Sequence, residues 1–294
     1  MASIEDRFVI DPNTHRAHQQ ALLVILEEFD RVCRQLNIPY VLFAGTMLGA
    51  VRHQGFIPWD DDVDVMMLRS DYDRFLSEAE KILDHNKFFL QKEFSLHWPM
   101  FFSKLRLNGT TCLEKVHLKD PSTHQGVYID IFPCDAACKS ELGRRIQFLA
   151  SKVVIAKSLD RRGYDTNSRI KQLFLVLCRI LPYKPFLKLV KHGNPNSSMV
   201  HSFLGGARSY SKNVYLRRFF SNRIDVEFEG KYYPISAEYD TLLKTLYADY
   251  MQIPPPEARK YKQHAVLIDL SKSYEAYTGY HDGIEFEIHT RSIR

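Results

Sequence analysis

The chain has 294 residues, 45% of them hydrophobic and 26% charged, with only 13 glycines and 13 prolines. That composition excludes a disordered chain, a collagen-like repeat and a disulfide-stapled miniprotein, and leaves room for a sizeable core. The net charge of +5 is unevenly spread: residues 139–191 hold 13 Lys plus Arg against Glu141, Asp160 and Asp165, a net +10, so the remainder is mildly acidic.

No uncharged apolar run approaches the roughly 18–20 residues of a membrane span, and the best, 173–181, contains Arg179. Residues 1–11 carry acids and no apolar signal-type segment, so a cytoplasmic location is the default expectation. Five cysteines with no CxxC pair predict reduced, mostly buried thiols.

Apolar residues at Ala21, Leu22, Ile25, Leu26, Phe29, Val32, Cys33 and Leu36 predict an amphipathic helix over 13–36. A nearly continuous apolar run over 39–45, stopped by Gly45, predicts a buried strand, with a short helix from near Thr46. Residues 62–68 alternate acid with Val and Met as a second strand. Ser70 or Asp71 is the expected cap of a helix running to about Asp84. Short β-branched or aromatic runs at 88–91, 100–107, 111–114 and 127–132 predict the rest of a mixed sheet, the last strand closed by Pro133.

The basic stretch is apolar at helical spacing on both sides of Arg162-Gly163 and predicts basic amphipathic helices. It fits a solvated helical subdomain or a surface that contacts anionic lipid head groups. With few aromatics to stack bases and no recognisable binding module, no nucleic-acid partner is expected. Residues 224–235 alternate around Gly230-Lys231 as a hairpin, and 237–247 predict a helix. Pro254-Pro255-Pro256 ends the packed region, and the polar tail from Tyr274 is expected to be loose. The fold class is α/β (α+β), a mixed sheet with an inserted basic helical region.

The chemistry concentrates at Trp59-Asp60-Asp61-Asp62-Val63-Asp64-Val65, four carboxylates within five residues. Strand alternation puts Asp62 and Asp64 on one face, where a cation offsets their repulsion, and hard oxygen donors suit Mg²⁺ or Mn²⁺. Asp130 is a lone carboxylate in the apolar run Tyr128-Ile129-Asp130-Ile131-Phe132, where an uncompensated charge is expensive. If the two strands are neighbours, three acids converge on one metal site, with Asp130 as a shared ligand or as base for an attacking hydroxyl.

Phe43-Ala-Gly45-Thr46-Met-Leu-Gly-Ala-Val-Arg52-His53, followed by Gly55-Phe-Ile-Pro-Trp59-Asp-Asp-Asp62-Val-Asp64, resembles the LicD family of phosphocholine transferases, relatives of the fukutin proteins. The likeness extends to Val127-Tyr-Ile-Asp130-Ile-Phe-Pro133 and to Val226-Glu-Phe-Glu-Gly-Lys-Tyr-Tyr-Pro234 with Tyr239-Asp240, Leu243, Tyr247, Asp249-Tyr250 and Pro254-Pro255. The resemblance implies a nucleotidyltransferase-like core over 1–138; the charge pattern marks a basic insert over 139–192, after which a hairpin and helix over 193–273 complete the core and a tail follows over 274–294.

It also implies metal-dependent transfer of phosphocholine or a similar phospho-alcohol from a CDP-alcohol such as CDP-choline to a sugar hydroxyl of a cell-surface glycan, lipopolysaccharide, capsule or teichoic acid, with CMP released. The acceptor would be reached at the inner membrane face if it is lipid-linked. In that scheme Gly45 and Thr46 at a helix start bind phosphate and Asp62, Asp64 and Asp130 hold the metal. Arg52 is a bidentate phosphate clamp beside His53, with Lys104 and Arg106 as secondary candidates, and Trp59 is a candidate for caging a choline ammonium. Two other readings share these residues: transfer of NMP from an NTP to a small molecule or RNA, and a non-catalytic scaffold that docks on membrane.

Overall fold

A computed structural model describes residues 12–114, 122–164, 166–205, 209–255, 259 and 265–277. Helix α1 (Pro12–Leu36) buries Leu22, Ile25, Leu26, Phe29, Val32 and Cys33, the face set by its 3.6-residue spacing. The next apolar run forms only a two-residue strand, β1 (Val41–Leu42), because the backbone turns at Ala44 (φ 46°) into α2 (Ala44–His53). Strand β2 (Asp64–Leu68) then passes directly into α3 (Arg69–Glu78). Leu68, with no side-chain cap, precedes that helix in place of Ser70 or Asp71, and a 3-10 turn (Ala79–Lys81) ends it short of Asp84.

Strands β3 (Phe88–Gln91), β4 (Ser103–Leu107), β5 (Thr111–Glu114) and β6 (Tyr128–Ala136) follow, then helices α4 (Glu141–Arg161), α5 (Arg169–Ile180) and α6 (Tyr183–Val190). The chain returns as β7 (Met199–His201) and β8 (Val214–Leu216), the short α7 (Arg218–Ser221), the hairpin β9 (Arg223–Phe228) and β10 (Lys231–Ser236), α8 (Tyr239–Tyr247) and β11 (Ala265–Asp269).

The main sheet runs β1-β2-β6-β4-β3, with β7 and β8 extending it from the far end of β6. Only β2 and β6 pair in parallel; their burial on both faces explains the apolar runs Val65-Met66-Met67 and Ile129–Ile131 interrupted by Asp130. Strand β6 does not stop at Pro133 but continues to Ala136. Asp130 N donates to Val63 O on the β2 side, so alternation turns the Pro133 nitrogen the other way. On that side β4 pairs only as far as Ile131 and β7 begins at Asp135, so no ladder bond is lost.

The two faces of the sheet differ. Ser103, Leu105, Ile129 and Ile131 face α1 and α3, where Tyr72 Oη and Ser103 Oγ lie 2.6 Å apart and Phe29 meets Phe75 at 5.0 Å between rings. By alternation Asp64, Lys104, Arg106, Tyr128 and Asp130 occupy the other face. The three insert helices leave from the end of β6 and return to β7, its partner. Helices α4 and α6 bury Ala150, Val154 and Val190 against Trp98, Met100, Phe101 and Phe102, a second apolar cluster beside the sheet.

The packed region does not end at the proline run: the largely apolar, β-branched run 265–269 forms β11, which pairs with β5, and a 3-10 turn (Tyr274–Tyr277) donates Tyr274 N to Thr110 O. The expected tail beyond 277 lies outside the described residues. The β9–β10 turn sits one residue earlier than expected, at Glu229 (φ 53°) and Gly230 (φ 78°), a left-handed pair that suits a two-residue hairpin. All five cysteines are free thiols, four of them buried.

Candidate active site

Asp64 opens β2 and stands in register with Asp130 on the parallel neighbour β6, which in turn stands in register with Lys104 on β4. Side chains in register on adjacent strands point to one face, so the two acids and the lysine form a row across the sheet. Lys104 Nζ lies 3.2 Å from Asp130 Oδ1 and 3.3 Å from Glu114 Oε1, and Arg162 at the end of α4 reaches the other Glu114 oxygen at 3.3 Å. The row thus alternates in sign from Asp130 through Lys104 and Glu114 to Arg162. The basic insert contributes its last member.

Lys104 is only 2% exposed and sits 3.1 Å from the centre of the Tyr128 ring, with Trp98 5.1 Å away. Burial lowers the pKa of its ammonium, and the Asp130 and Glu114 carboxylates oppose that shift. Arg106, fully buried, donates through Nε to Gln91 at 2.7 Å and through one terminal nitrogen to Gly126 O at 2.7 Å, and its plane lies 4.7 Å from the Tyr128 ring centre. The structure therefore places Arg106 inside the sheet's packing.

Burial raises the Asp64 carboxyl well above its ordinary range, and Asp62, Asp130 and Asp60 add to the effect. Burial also raises Asp130, against the lowering pull of Lys104. Among the described residues Asp130 Oδ1 has no well-aligned hydrogen-bond donor, its neighbour being the Lys104 ammonium at 3.2 Å. A buried carboxylate oxygen without a well-aligned donor, beside a second crowded carboxylate, is a donor set that fits a hard divalent cation. Asp62 lies just before β2, and among the described residues no three His, Cys, Asp or Glu side chains are already grouped as metal ligands. Two carboxylates fit Mg²⁺, which commonly takes one or two and completes its shell with water and substrate phosphate.

Helix α2 faces this row. Thr46 Oγ1 accepts a 2.8 Å hydrogen bond from Asp64 N, and Phe43 N donates to Asp64 O, so the start of the helix and the start of β2 are fastened together. The first amides of a helix have no intrahelical acceptor and favour an anion. Here a Cβ on Gly45 would stand 2.9 Å from Asp60 Oδ2, so glycine lets the acid loop pack closely against the helix start. The loop itself is clamped from α1: His15, His18 and Gln19 meet the carbonyls of Pro58, Asp61 and Asp60 at 3.1, 2.9 and 3.0 Å. On its other side Glu229 at the hairpin tip accepts from Phe56 N at 3.1 Å.

Arg52 turns toward the C-terminal segment, donating to Tyr250 O at 2.6 Å and Gln252 O at 3.4 Å. Burial lowers its pKa, with Asp60 acting in the opposite sense. His53 packs edge-on to Trp59 at 6.3 Å, and the Arg259 guanidinium lies 5.4 Å from the Trp59 ring centre. Trp59 is thus flanked by a cation of the chain itself.

Three neighbours were not singled out from sequence. Tyr247, at the end of α8 and 42% exposed, has its pKa raised by desolvation and by the charges of Asp64, Asp60 and Asp62. It falls within the motif shared with the LicD family, but nothing in its local pattern marks a role. Glu114 could have been flagged by the same signal as Asp130, an acid at the end of the apolar run Thr111-Cys112-Leu113. Arg162 had no signal, since only the tertiary fold brings it there.

Lipopolysaccharide cholinephosphotransferase LicD of Haemophilus influenzae is 27% identical over 270 residues, covering 84% of this chain and 95% of that protein. Uncharacterized proteins of Rickettsia typhi and Rickettsia prowazekii are 33% identical over 76 residues and 41% over 51, covering 24% and 17% of this chain and 25% and 19% of theirs. Residues 37–142 match the family described as LicD/FKTN/FKRP, nucleotidyltransferase domain. That segment contains Gly45, Thr46, Asp62, Asp64, Lys104 and Asp130, and the chain therefore carries a LicD-family nucleotidyltransferase domain.

Proposed function

We propose that this chain transfers phosphocholine, or a similar phospho-alcohol, from a CDP-alcohol to a sugar hydroxyl of a cell-surface glycan such as lipopolysaccharide, releasing CMP. The observation that carries the reading is the in-register Asp64–Asp130 pair, with Asp64 fastened to the start of α2 through Thr46. The likeness to a lipopolysaccharide cholinephosphotransferase along most of both chains supplies the substrate class. A divalent ion held by Asp64 and Asp130, with Asp62 at the rim, would offset charge on the diphosphate.

The chain's own groups do the rest. Amides at Gly45 and Thr46 hold a phosphate against the helix end, and the clamped 58–61 loop keeps the acids in place around it. Lys104 holds Asp130 from the side away from Asp64. A carboxylate of the pair accepts the proton of the sugar hydroxyl as its oxygen forms the new bond to phosphorus, and the phosphorus–oxygen bond to CMP breaks. Working on a membrane-attached glycan from the cytoplasmic side would need no spanning helix, and no helix among the described residues is long and apolar enough to cross a membrane.

The test is turnover of CDP-choline, CDP-ethanolamine, CDP-ribitol and CTP with Mg²⁺ and a glycan acceptor, following CMP and pyrophosphate. CMP from one CDP-alcohol, dependent on acceptor and lost in Asp64→Ala, is the expected result. Pyrophosphate from CTP would establish nucleotidyl transfer instead, and no product from any donor would leave a binding protein.

A further inference from the structure

Helix α5 is held to the protein by its polar side. Lys157 Nζ of α4 donates to Cys178 O and Arg179 O, both at 2.9 Å, and Asp160 of α4 pairs with Arg179 at 2.7 Å. Of the twelve residues in the helix only Cys178 is buried. At 100° per residue Ile170, Leu173, Phe174, Val176, Leu177 and Ile180 fall on an arc of about 160° that also takes in Arg169 at the helix start, and the buried Cys178 lies just past its Phe174 edge. All six are exposed, Ile170 and Ile180 by more than four-fifths. The clasp on α4 thus fixes the helix with its apolar arc turned outward, the reverse of what core packing would select.

The chain along α5 and α6 is basic, with Arg179 paired to Asp160 and Lys191 to Glu93. Between residues 166 and 191 there are six bases, Arg169, Lys171, Arg179, Lys184, Lys188 and Lys191, and no acid. On α6, Lys184, Lys188 and Lys191 line a shallow groove with His192. Two copies of so basic a face repel each other, which argues against self-association, and nucleic acid offers nothing to cover the aliphatic arc. An anionic bilayer offers both complements: phosphate for the Lys and Arg, and the acyl boundary for the arc.

We propose that α5 lies in the surface of an anionic lipid membrane, its 170–180 arc at the acyl boundary and the basic residues of α5 and α6 on the head groups. The helix is too short to span, so the contact is peripheral. It brings the enzyme to membrane-attached acceptors, and it deepens the function proposed above without depending on turnover.

Co-sedimentation of the full chain with vesicles tests it. The protein is expected to pellet with equal parts phosphatidylcholine and phosphatidylglycerol and to remain in solution with phosphatidylcholine alone. The double variant Leu173→Asp, Leu177→Asp and the double variant Lys184→Glu, Lys188→Glu should each weaken binding by about tenfold or more. Melting temperatures near wild type show that the variants fold, and the single change Ile180→Ser serves if a double variant does not. Asp64→Ala should bind as wild type, so lost lipid binding and lost catalysis are read separately. Equal binding to phosphatidylcholine alone, no binding to either vesicle, or wild-type binding by the Leu173/Leu177 variant would overturn the proposal. So would a dimer in light scattering that this variant dissociates, since a second copy would then cover the arc.

Discussion

On the sheet face, Lys104 and Arg106 have been drawn inside the protein beside the half-buried Asp130, whereas on α5 six large apolar side chains face outward while the charge stays beside them. A charge is costly to bury unless paired, and apolar surface is unfavourable in water unless covered. The sheet resolves its conflict internally, through the row from Asp130 to Arg162. The insert leaves its conflict for something outside the chain. In the function and the membrane contact proposed above, buried charge sits at the substrate site and exposed apolar surface at the partner; Arg162, reaching from α4 to Glu114, joins the two.

The comparison can be broken at either end. The largest effect is expected from Asp64→Ala, which should lower turnover by at least about 10³-fold, roughly 4 kcal/mol in the barrier, with an unchanged circular dichroism spectrum. Lys104→Met leaves Asp130 without its cation and Glu114 with only Arg162; thermal unfolding should show a loss of about 3–5 kcal/mol. A near-normal melting temperature for Lys104→Met would mean that the row is not held by charge.

Acid sensitivity gives the next effect. Burial pushes His201 down to about 4, below its ordinary value near 6.5, so the unfolded chain takes up that proton first. Its contribution is complete above pH 6.5 and drains as the pH falls toward 4, by roughly 3 kcal/mol. Burial alone would raise Asp135, but the Arg69 guanidinium at 2.7 Å holds it below the usual carboxylate range. That share is present above the ordinary carboxylate value and disappears as the pH drops through the folded one. Melts from pH 7 to pH 3 should thus decline continuously, and His201→Gln should flatten the part above pH 4 while leaving the lower part.

Arg162→Ala should cost about 1.5 kcal/mol and loosen the join between α4 and the sheet, read as increased hydrogen exchange at β5 and the end of α4. The smallest effect falls on α5, where Leu173→Asp should change stability by no more than about 0.5 kcal/mol because the side chain already faces solvent. A large loss there would show that the arc packs against the protein itself.

Much of the fold was legible because periodicity reports burial. The spacing from Ala21 to Leu36 marks α1, and a carboxylate set within an apolar strand run marks Asp64 and Asp130 as residues kept for a reason other than packing. What sequence cannot supply is distance between segments far apart in the chain. Glu114 meets Arg162 across 48 positions, so that contact has no local signature. Lys104 and Arg106 alternate along β4 like surface charges, and only the cover formed by Trp98, Phe102 and Tyr128 shows them to be inside. Pro133 read as a strand end because its ladder is interrupted by the ends of two other strands, which no local rule reveals.

The central claim is that the Asp64–Asp130 pair moves a phospho-alcohol onto a glycan. Its most direct measurement is the mass of an acceptor oligosaccharide incubated with CDP-choline, Mg²⁺ and the wild-type chain or Asp64→Ala. The account predicts a mass gain of one phosphocholine with the wild type and none with the variant. A gain of CMP in place of phosphocholine, or an equal gain with both proteins, would contradict it.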